Sequence, residues 1–334
     1  MTTKRGIFEN LYLSIHRFVF NRRLRRQRRF PQHYVISVGN LSAGGTGKTP
    51  VVLYLASRLS GPVLVLLRGY GRRLPPGGLL VADVSGRPLV DQRIAGDEAM
   101  LYAAAGVGVA VGPDRAALLD RFGAGHRVVL LDDAMQNPSV ARNLEITLLD
   151  ATVPLERIRI FPAGRFREDL SALSRSDVVL LTRTDLVEAE TLERMRKAVS
   201  RHVAEERIFN TRHAFSRFDP EPPAGSSFGA FCGIGNPGAF FRMLEREGYG
   251  LKCRRDFPDH YDYTRGDLRK LQQEAESEDI HWITTRKDFM RLGDGADVPD
   301  GLKNRISVAG IEIRFSGEEE ERRFLSHLPE KLRN

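Results

Sequence analysis

Val35-Ile-Ser-Val-Gly-Asn-Leu-Ser-Ala-Gly-Gly-Thr-Gly-Lys-Thr-Pro50 is the stretch on which the fold turns. An aliphatic run that reads as a strand enters a glycine-rich turn. The turn ends in Gly47-Lys48-Thr49, ahead of helix-forming residues. Glycines here let backbone N–H groups curl around phosphate oxygens, and the helix N-terminus adds positive potential. Ser42, Ala43, Gly44, Gly45, Thr46, Gly47, Lys48 and Thr49 are therefore the expected phosphate cradle. Lys48 would reach the β- and γ-phosphates, and the Thr49 hydroxyl would ligate magnesium. The usual pattern opens on glycine; here that place is Ser42, while Gly44 and Gly45 keep the turn pliable.

Outward from this stretch, aliphatic runs at 34–38, 63–67, 107–111, 128–131, 145–149 and 178–182 alternate with helical stretches near 48–60, 96–105, 114–122 and 187–203. Near-continuous apolar runs are the mark of parallel strands covered on both faces. The alternation predicts an α/β fold of the P-loop NTPase type, a doubly wound and mostly parallel sheet with right-handed crossovers. Phe-Asp-Pro-Glu-Pro-Pro-Ala-Gly-Ser-Ser at 218–227 reads as a boundary. Beyond it lie a strand at 228–232, helices at 237–247 and 264–277, strands at 280–284 and 311–315, and a final helix. The expected organisation is an N-terminal amphipathic helix over 1–30, a P-loop domain over 31–217 and a smaller α/β lobe over 218–334.

The chain has 334 residues, 41% of them hydrophobic and 28% charged, values of a globular protein. Cys232 and Cys253 are its only cysteines, which argues against a disulfide framework or a zinc site and suits a reducing compartment. Net charge is +8, and residues 1–30 carry nine basic side chains against one acid, so the remainder is neutral. Ile7, Phe8, Leu11, Tyr12, Ile15, Phe18, Val19 and Leu24 recur at three- and four-residue spacing ahead of the arginine cluster. This is a helix with an apolar stripe. Glu9, His16 and Arg17 interrupt it, so it reads neither as a signal peptide nor as a membrane span. An interfacial helix on anionic lipid, a helix packed on the domain with a solvated basic tail, and a nucleic-acid arm all fit the pattern. With a neutral remainder, no nucleic-acid partner is expected. As an interfacial anchor, residues 1–29 would be separable, their removal weakening vesicle binding while leaving ATP affinity nearly unchanged.

Three further stretches bear chemistry. The run 128–131 ends in Asp132-Asp133, which sets a carboxylate beside the cradle for magnesium; either residue could supply it. Gly96-Asp97-Glu98 stands at a helix start, where acids also serve as caps. Asp256-Phe-Pro-Asp-His260-Tyr-Asp-Tyr packs acids, aromatics and one histidine into eight residues.

In order along the chain, the cradle, Arg-Gly-Tyr-Gly-Arg (68–72), Gly-Asp-Glu (96–98), Asp132-Asp133, the 162–168 stretch Pro-Ala-Gly-Arg-Phe-Arg-Glu, Phe-Cys-Gly-Ile-Gly-Asn-Pro (231–237), Phe257-x-Asp-His260 and Thr284-Thr-x-Lys-Asp288 resemble the tetraacyldisaccharide 4'-kinases of lipid A synthesis. The resemblance implies transfer of the ATP γ-phosphate to the 4'-hydroxyl of a tetraacylated glucosamine disaccharide 1-phosphate. It also implies a peripheral position at the cytoplasmic face of the bacterial inner membrane, and we expect a monomer. It carries the family's catalytic aspartate onto Asp97 and its partner histidine onto His260, beside Lys48, Thr49 and Mg2+. A sugar hydroxyl needs a carboxylate to take its proton as it attacks, and an imidazole can orient that carboxylate. Ala134-Met135-Gln136-Asn137 departs from the family's Gly-Leu-Gln-His, and Arg286 reverses a common Glu. The alternative is a P-loop GTPase switch or metallochaperone-type NTPase, in which Asp185 of Leu181-Thr-Arg-Thr-Asp185 reads guanine.

Overall fold

A computed structural model describes residues 6–69, 74–292 and 298–334, so positions 70–72 of the Arg-Gly-Tyr-Gly-Arg motif lie outside the described residues. The chain forms two compact units, Met1–Arg212 with Arg314–Asn334, and His213–Ile313.

Unit 1 runs through α1 (Ile7–Leu24), β1 (Tyr34–Asn40), α2 (Lys48–Arg58), β2 (Val63–Leu67), β3 (Leu79–Ala82), α3 (Gln92–Ala95), α4 (Asp97–Ala104) and β4 (Gly108–Val111). It continues with α5 (Arg115–Phe122), β5 (Val128–Asp132), β6 (Leu144–Asp150), β7 (Val178–Thr182), α6 (Ala189–Val199) and the start of β8 (Ile208–Asp219). Its strand order is β8-β7-β6-β1-β5-β2-β4-β3, and only β3 runs antiparallel to its neighbour. β2, β5, β6 and β7 are buried along their whole length, the reason their sequences are mostly apolar; Glu145 and Thr147 of β6 are buried polar exceptions, hydrogen-bonded to Ser37 and Ser176. β1 lies between β5 and β6, with Val38 opposite Asp132. The loop after β1 and the acidic end of β5 thus share one edge of the sheet.

Helix α1 has an inward face besides its apolar arc. Glu9, Tyr12, Leu13 and His16 turn inward, and Leu13 joins a core cluster with Leu41, Ile160 and Phe166. At about 100° per residue, Ile7, Phe8, Leu11, Ile15, Phe18 and Val19 fall in one outward arc of roughly 120°. Phe8 and Phe18 are 74% and 68% exposed. Among the described residues no helix is long and apolar enough to cross a membrane.

Unit 2 contains the rest of β8, then β9 (Ser227–Cys232), α7 (Pro237–Arg246), β10 (Leu251–Asp256), α8 (Arg265–Ser277), β11 (Ile280–Thr285), α9 (Arg286–Arg291), α10 (Asp300–Lys303) and β12 (Ile306–Phe315). The order β10-β9-β11-β12 is parallel throughout. The expected lobe boundary needs two corrections. Residues 218–227 take in the end of the long strand β8, the link to β9 and its first residue rather than opening the unit, which starts at His213. Residues 314–334, including α11 (Glu318–Leu325), belong to unit 1 and not to the second lobe. The cause is aromatic packing. Phe324 is 1% exposed against Tyr54, Phe209 and Phe315, a burial worth about 2–3 kcal/mol. Tyr54 Oη also donates to Glu321 at 2.6 Å, and Ser60 N–H to the Leu332 carbonyl at 2.9 Å.

Candidate active site

The loop between β1 and α2 bends where glycine permits it. Gly44 and Gly47 have φ of 105° and 92°, values other residues rarely adopt, and Gly47 caps α2. Gly44 also has the Arg165 guanidinium packed against it. Ser42 bridges to Phe166, and Ala43 N–H donates to the Arg165 carbonyl at 2.7 Å. The Gly45 carbonyl accepts from Arg183 at 2.7 Å, and buried Thr46 accepts from Asn40 Nδ2 at 2.8 Å. Arg183, from the stretch suspected of reading guanine, is therefore a brace for the loop, ion-paired in the interior with Asp150.

Lys48 Nζ lies 3.4 Å from Asp133, and Arg167 donates to both oxygens of Asp133 at 3.0 and 3.1 Å. Burial pushes the Asp133 carboxyl up, but Lys48 and Arg167 outweigh it and hold it below its ordinary value. Arg167 further donates to Gln136 at 3.1 Å, and Gln136 donates to the Asn40 carbonyl at 2.8 Å.

Asp132 is placed differently. It is 5% exposed; Oδ2 accepts from Tyr102 at 2.9 Å, and Oδ1 is buried without a hydrogen-bond partner among the described residues. Burial, then the charge of Glu98, pushes its carboxyl up to about 6. The buried Tyr102 phenol, which also acts on the Thr49 hydroxyl, ties α4 to the end of β5. Arg115, 1% exposed, donates to the carbonyls of Asp132 and Asp133 and fixes the positive φ of 50° at Asp133. Burial pulls this guanidinium down to about 10. An orphaned carboxylate oxygen near a hydroxyl is an oxygen donor set of the kind a hard divalent cation takes. The residues present fit magnesium.

Asp97 opens α4, directly after Gly96 with its φ of 96°. The structure therefore gathers the cradle, Lys48, Thr49, Asp132, Asp133 and the start of α4 within unit 1. His260 is in unit 2, exposed, with φ 62°, Arg291 Nη2 at 3.2 Å from its Nδ1 and its N–H on the Gly233 carbonyl at 3.2 Å. Fully buried Asp288 organises that corner. It accepts from Gly233 N–H at 2.8 Å, Tyr263 Oη at 3.0 Å and Thr285 Oγ1 at 2.6 Å. Asn137 Oδ1 accepts from Ser139 N–H at 3.3 Å, and Arg286 pairs with Asp219 at 2.5 Å. Sequence reasoning gave no role to Tyr102, Arg115, Arg167, Gln136, Arg183 or Asp288. Arg167 and Asp288 at least stood within quoted motifs, whereas nothing local distinguishes Tyr102 or Arg115.

A parallel sheet whose first strand feeds a glycine loop into Lys48-Thr49, beside an acidic strand end, defines a P-loop kinase fold. The structure of the tetraacyldisaccharide kinase LpxK from Aquifex aeolicus, in complex with ATP, superposes with a TM-score of 0.69 at 27% identity over 96% of each chain. Residues 6–330 match the family described as Tetraacyldisaccharide-1-P 4'-kinase. Relatives named tetraacyldisaccharide 4'-kinase include that of Chlorobaculum parvum, 34% identical over 90% of this chain and 87% of the relative. That of Bradyrhizobium sp. is 38% identical over 80% and 78%. The chain belongs to the tetraacyldisaccharide-1-P 4'-kinase family, and the GTPase alternative is not favoured.

Proposed function

We propose that this chain transfers the γ-phosphate of ATP to the 4'-hydroxyl of a tetraacyldisaccharide 1-phosphate, with Asp97 as the base. The single observation that carries the reading is the division of labour at the end of β5. Asp133 is committed to Lys48 and Arg167, and Asp132 keeps one buried oxygen free for a cation. Thr49 and Asp132 would hold magnesium, which when bound offsets charge on the β- and γ-phosphates. Residues 42–49 bind the phosphates through backbone N–H groups and the α2 N-terminus, and Lys48 neutralises the transferred group. Asp97 takes the proton from the acceptor hydroxyl, and His260 is the second residue we assign to the acid–base chemistry. The outward arc of α1, followed by its arginines, suits a lipid surface. We assign it to the cytoplasmic face of the bacterial inner membrane, where a lipid-linked disaccharide is presented.

The test is incubation of purified protein with labelled ATP and tetraacyldisaccharide 1-phosphate in mixed micelles. A bisphosphorylated lipid should form, and Asp97→Ala should lower kcat by about 100- to 10,000-fold with a modest change in KM. Near-normal turnover by Asp97→Ala would remove the base from this scheme.

A further inference from the structure

Residues 159–168 form a tight loop between α1 and the phosphate cradle. The loop closes on itself, with Phe161 N–H on the Phe166 carbonyl at 2.8 Å and Phe166 N–H on the Arg159 carbonyl at 3.0 Å. Gly164 sits so close to the Arg159 backbone that no side chain fits there. One edge of the loop holds the cradle through main chain: the Arg165 carbonyl accepts from Ala43 N–H, and Arg167 N–H donates to the Leu41 carbonyl, both at 2.7 Å. Its side chain at Arg167 is the one that fixes Asp133 and, through it, Lys48.

The other edge rests on α1. Glu9, 2% exposed, lies 3.5 Å from Arg159, with the Ile160 N–H also acting on its carboxylate. The Tyr12 ring sits 5.3 Å from that of Phe161 and close enough to Arg167 and Glu168 to feel both charges. Leu13 packs in one cluster with Ile160, Phe166 and Leu41, the residue just ahead of the cradle. One turn and more along the helix, Arg175 stacks over Phe20 at 4.7 Å while pairing with Glu168 at 2.7 Å. Glu9 and Leu13 are buried and Tyr12 and Phe20 half-buried, whereas the residues of the outward arc are exposed.

We infer that Glu9 and Tyr12 of α1 are positioning residues for the nucleotide, acting through residues 159–168 on the cradle backbone and on Arg167. The helix is a buttress of the phosphate site as well as a lipid-facing surface, so residues 1–29 are not the separable anchor that their composition suggests. Protein interiors transmit displacement because they are close-packed, and a loop hydrogen-bonded on both sides has no slack to absorb it. The inference rests on reading residues 42–49 as the nucleotide cradle.

The experiment measures ATP affinity of the full chain in detergent, without acceptor, alongside sedimentation with vesicles of anionic phospholipid and a thermal melt. Glu9→Ala and Tyr12→Ala are expected to weaken ATP binding about 5- to 20-fold while sedimenting with vesicles as the unaltered chain does. Tyr12→Phe, which keeps the ring against Phe161, should restore affinity to within about twofold, and Ser14→Ala on the exposed side should have no effect. Should Tyr12→Ala melt below the assay temperature, Glu9→Ala decides the matter. Folded Ala variants with unchanged ATP affinity, in an assay where Lys48→Ala loses it, would overturn the inference alone. If Lys48→Ala also bound ATP normally, the cradle itself would be misplaced and this inference would fall with it.

Discussion

Lys48 and Asp133 stand 3.4 Å apart, and Arg167 also grips Asp133, at 3.0 Å. The cradle's lysine is thus held by an acid that is itself held, which fixes its position. Preorganised charge of this kind avoids reorganisation at the moment of reaction. Asp133→Asn keeps the shape and removes the attraction. It should lower kcat/KM for ATP about 10- to 100-fold in steady-state assays. A value within threefold of the unaltered enzyme would mean that Lys48 does not depend on Asp133.

Asp132 should give the site a pH signature. Its carboxyl is pushed up to about 6 in the fold, first by burial and then by Glu98, against an ordinary value of 3.8. The folded protein therefore holds this proton where the unfolded chain has lost it. Stability without metal is fullest at low pH on this account and declines as pH rises from about 4 to about 6. Magnesium competes with the same proton, so its apparent affinity should fall as pH drops below about 6. Asp132→Asn should flatten the melting temperature against pH and abolish the metal dependence on pH. Magnesium affinity that stays level between pH 5 and 7 in the unaltered protein would contradict the assignment.

Asp288 is the keystone of the corner that carries His260. Replacing it with Ala leaves the Gly233 N–H, the Tyr263 hydroxyl and the Thr285 hydroxyl without their acceptor in a buried place. The expected cost is about 3–5 kcal/mol, seen as early melting by calorimetry. Turnover should also fall, because the main chain of His260 is hydrogen-bonded to Gly233. An unchanged melting profile would show that the loop is held by other contacts.

The outward arc of α1 can be tested apart from its inward face. Phe18, 68% exposed, is surrounded by apolar neighbours on that arc. Phe18→Glu should reduce sedimentation with anionic vesicles about tenfold, and binding of the unaltered chain should weaken as salt is raised. Equal sedimentation of the two proteins would remove this face from lipid contact.

What the sequence made legible follows from burial. Strands β1, β2, β5, β6 and β7 announce themselves because both faces are covered and most positions are therefore apolar. β3 is apolar but only four residues long at the sheet edge, β8 runs through the polar stretch Asn-Thr-Arg-His, and β10 exposes Lys252, Arg254 and Arg255, so none of the three carries a long apolar run. The cradle was readable because glycine, lysine and threonine must stand adjacent in the chain to meet phosphate. Tyr102 and Arg115 were not, since their roles come from burial beside Asp132, thirty and seventeen positions away in sequence. The return of residues 314–334 depends on rings that meet only in three dimensions, Phe324 with Tyr54 and Phe209.

That return bears on the order in which the protein is made. The end of the helix that begins at Lys48 is finished by late residues, with Asn334 N–H on the Arg58 carbonyl at 2.9 Å and Glu321 joined to both Tyr54 and Arg58. A ribosome emitting this chain delivers the lysine early but must translate the whole of unit 2 before the clasp on its helix can close. Half-made chains therefore carry an unclasped phosphate-binding helix, and a nascent chain arrested near residue 313 should be cut by protease around 54–60 where the finished protein resists.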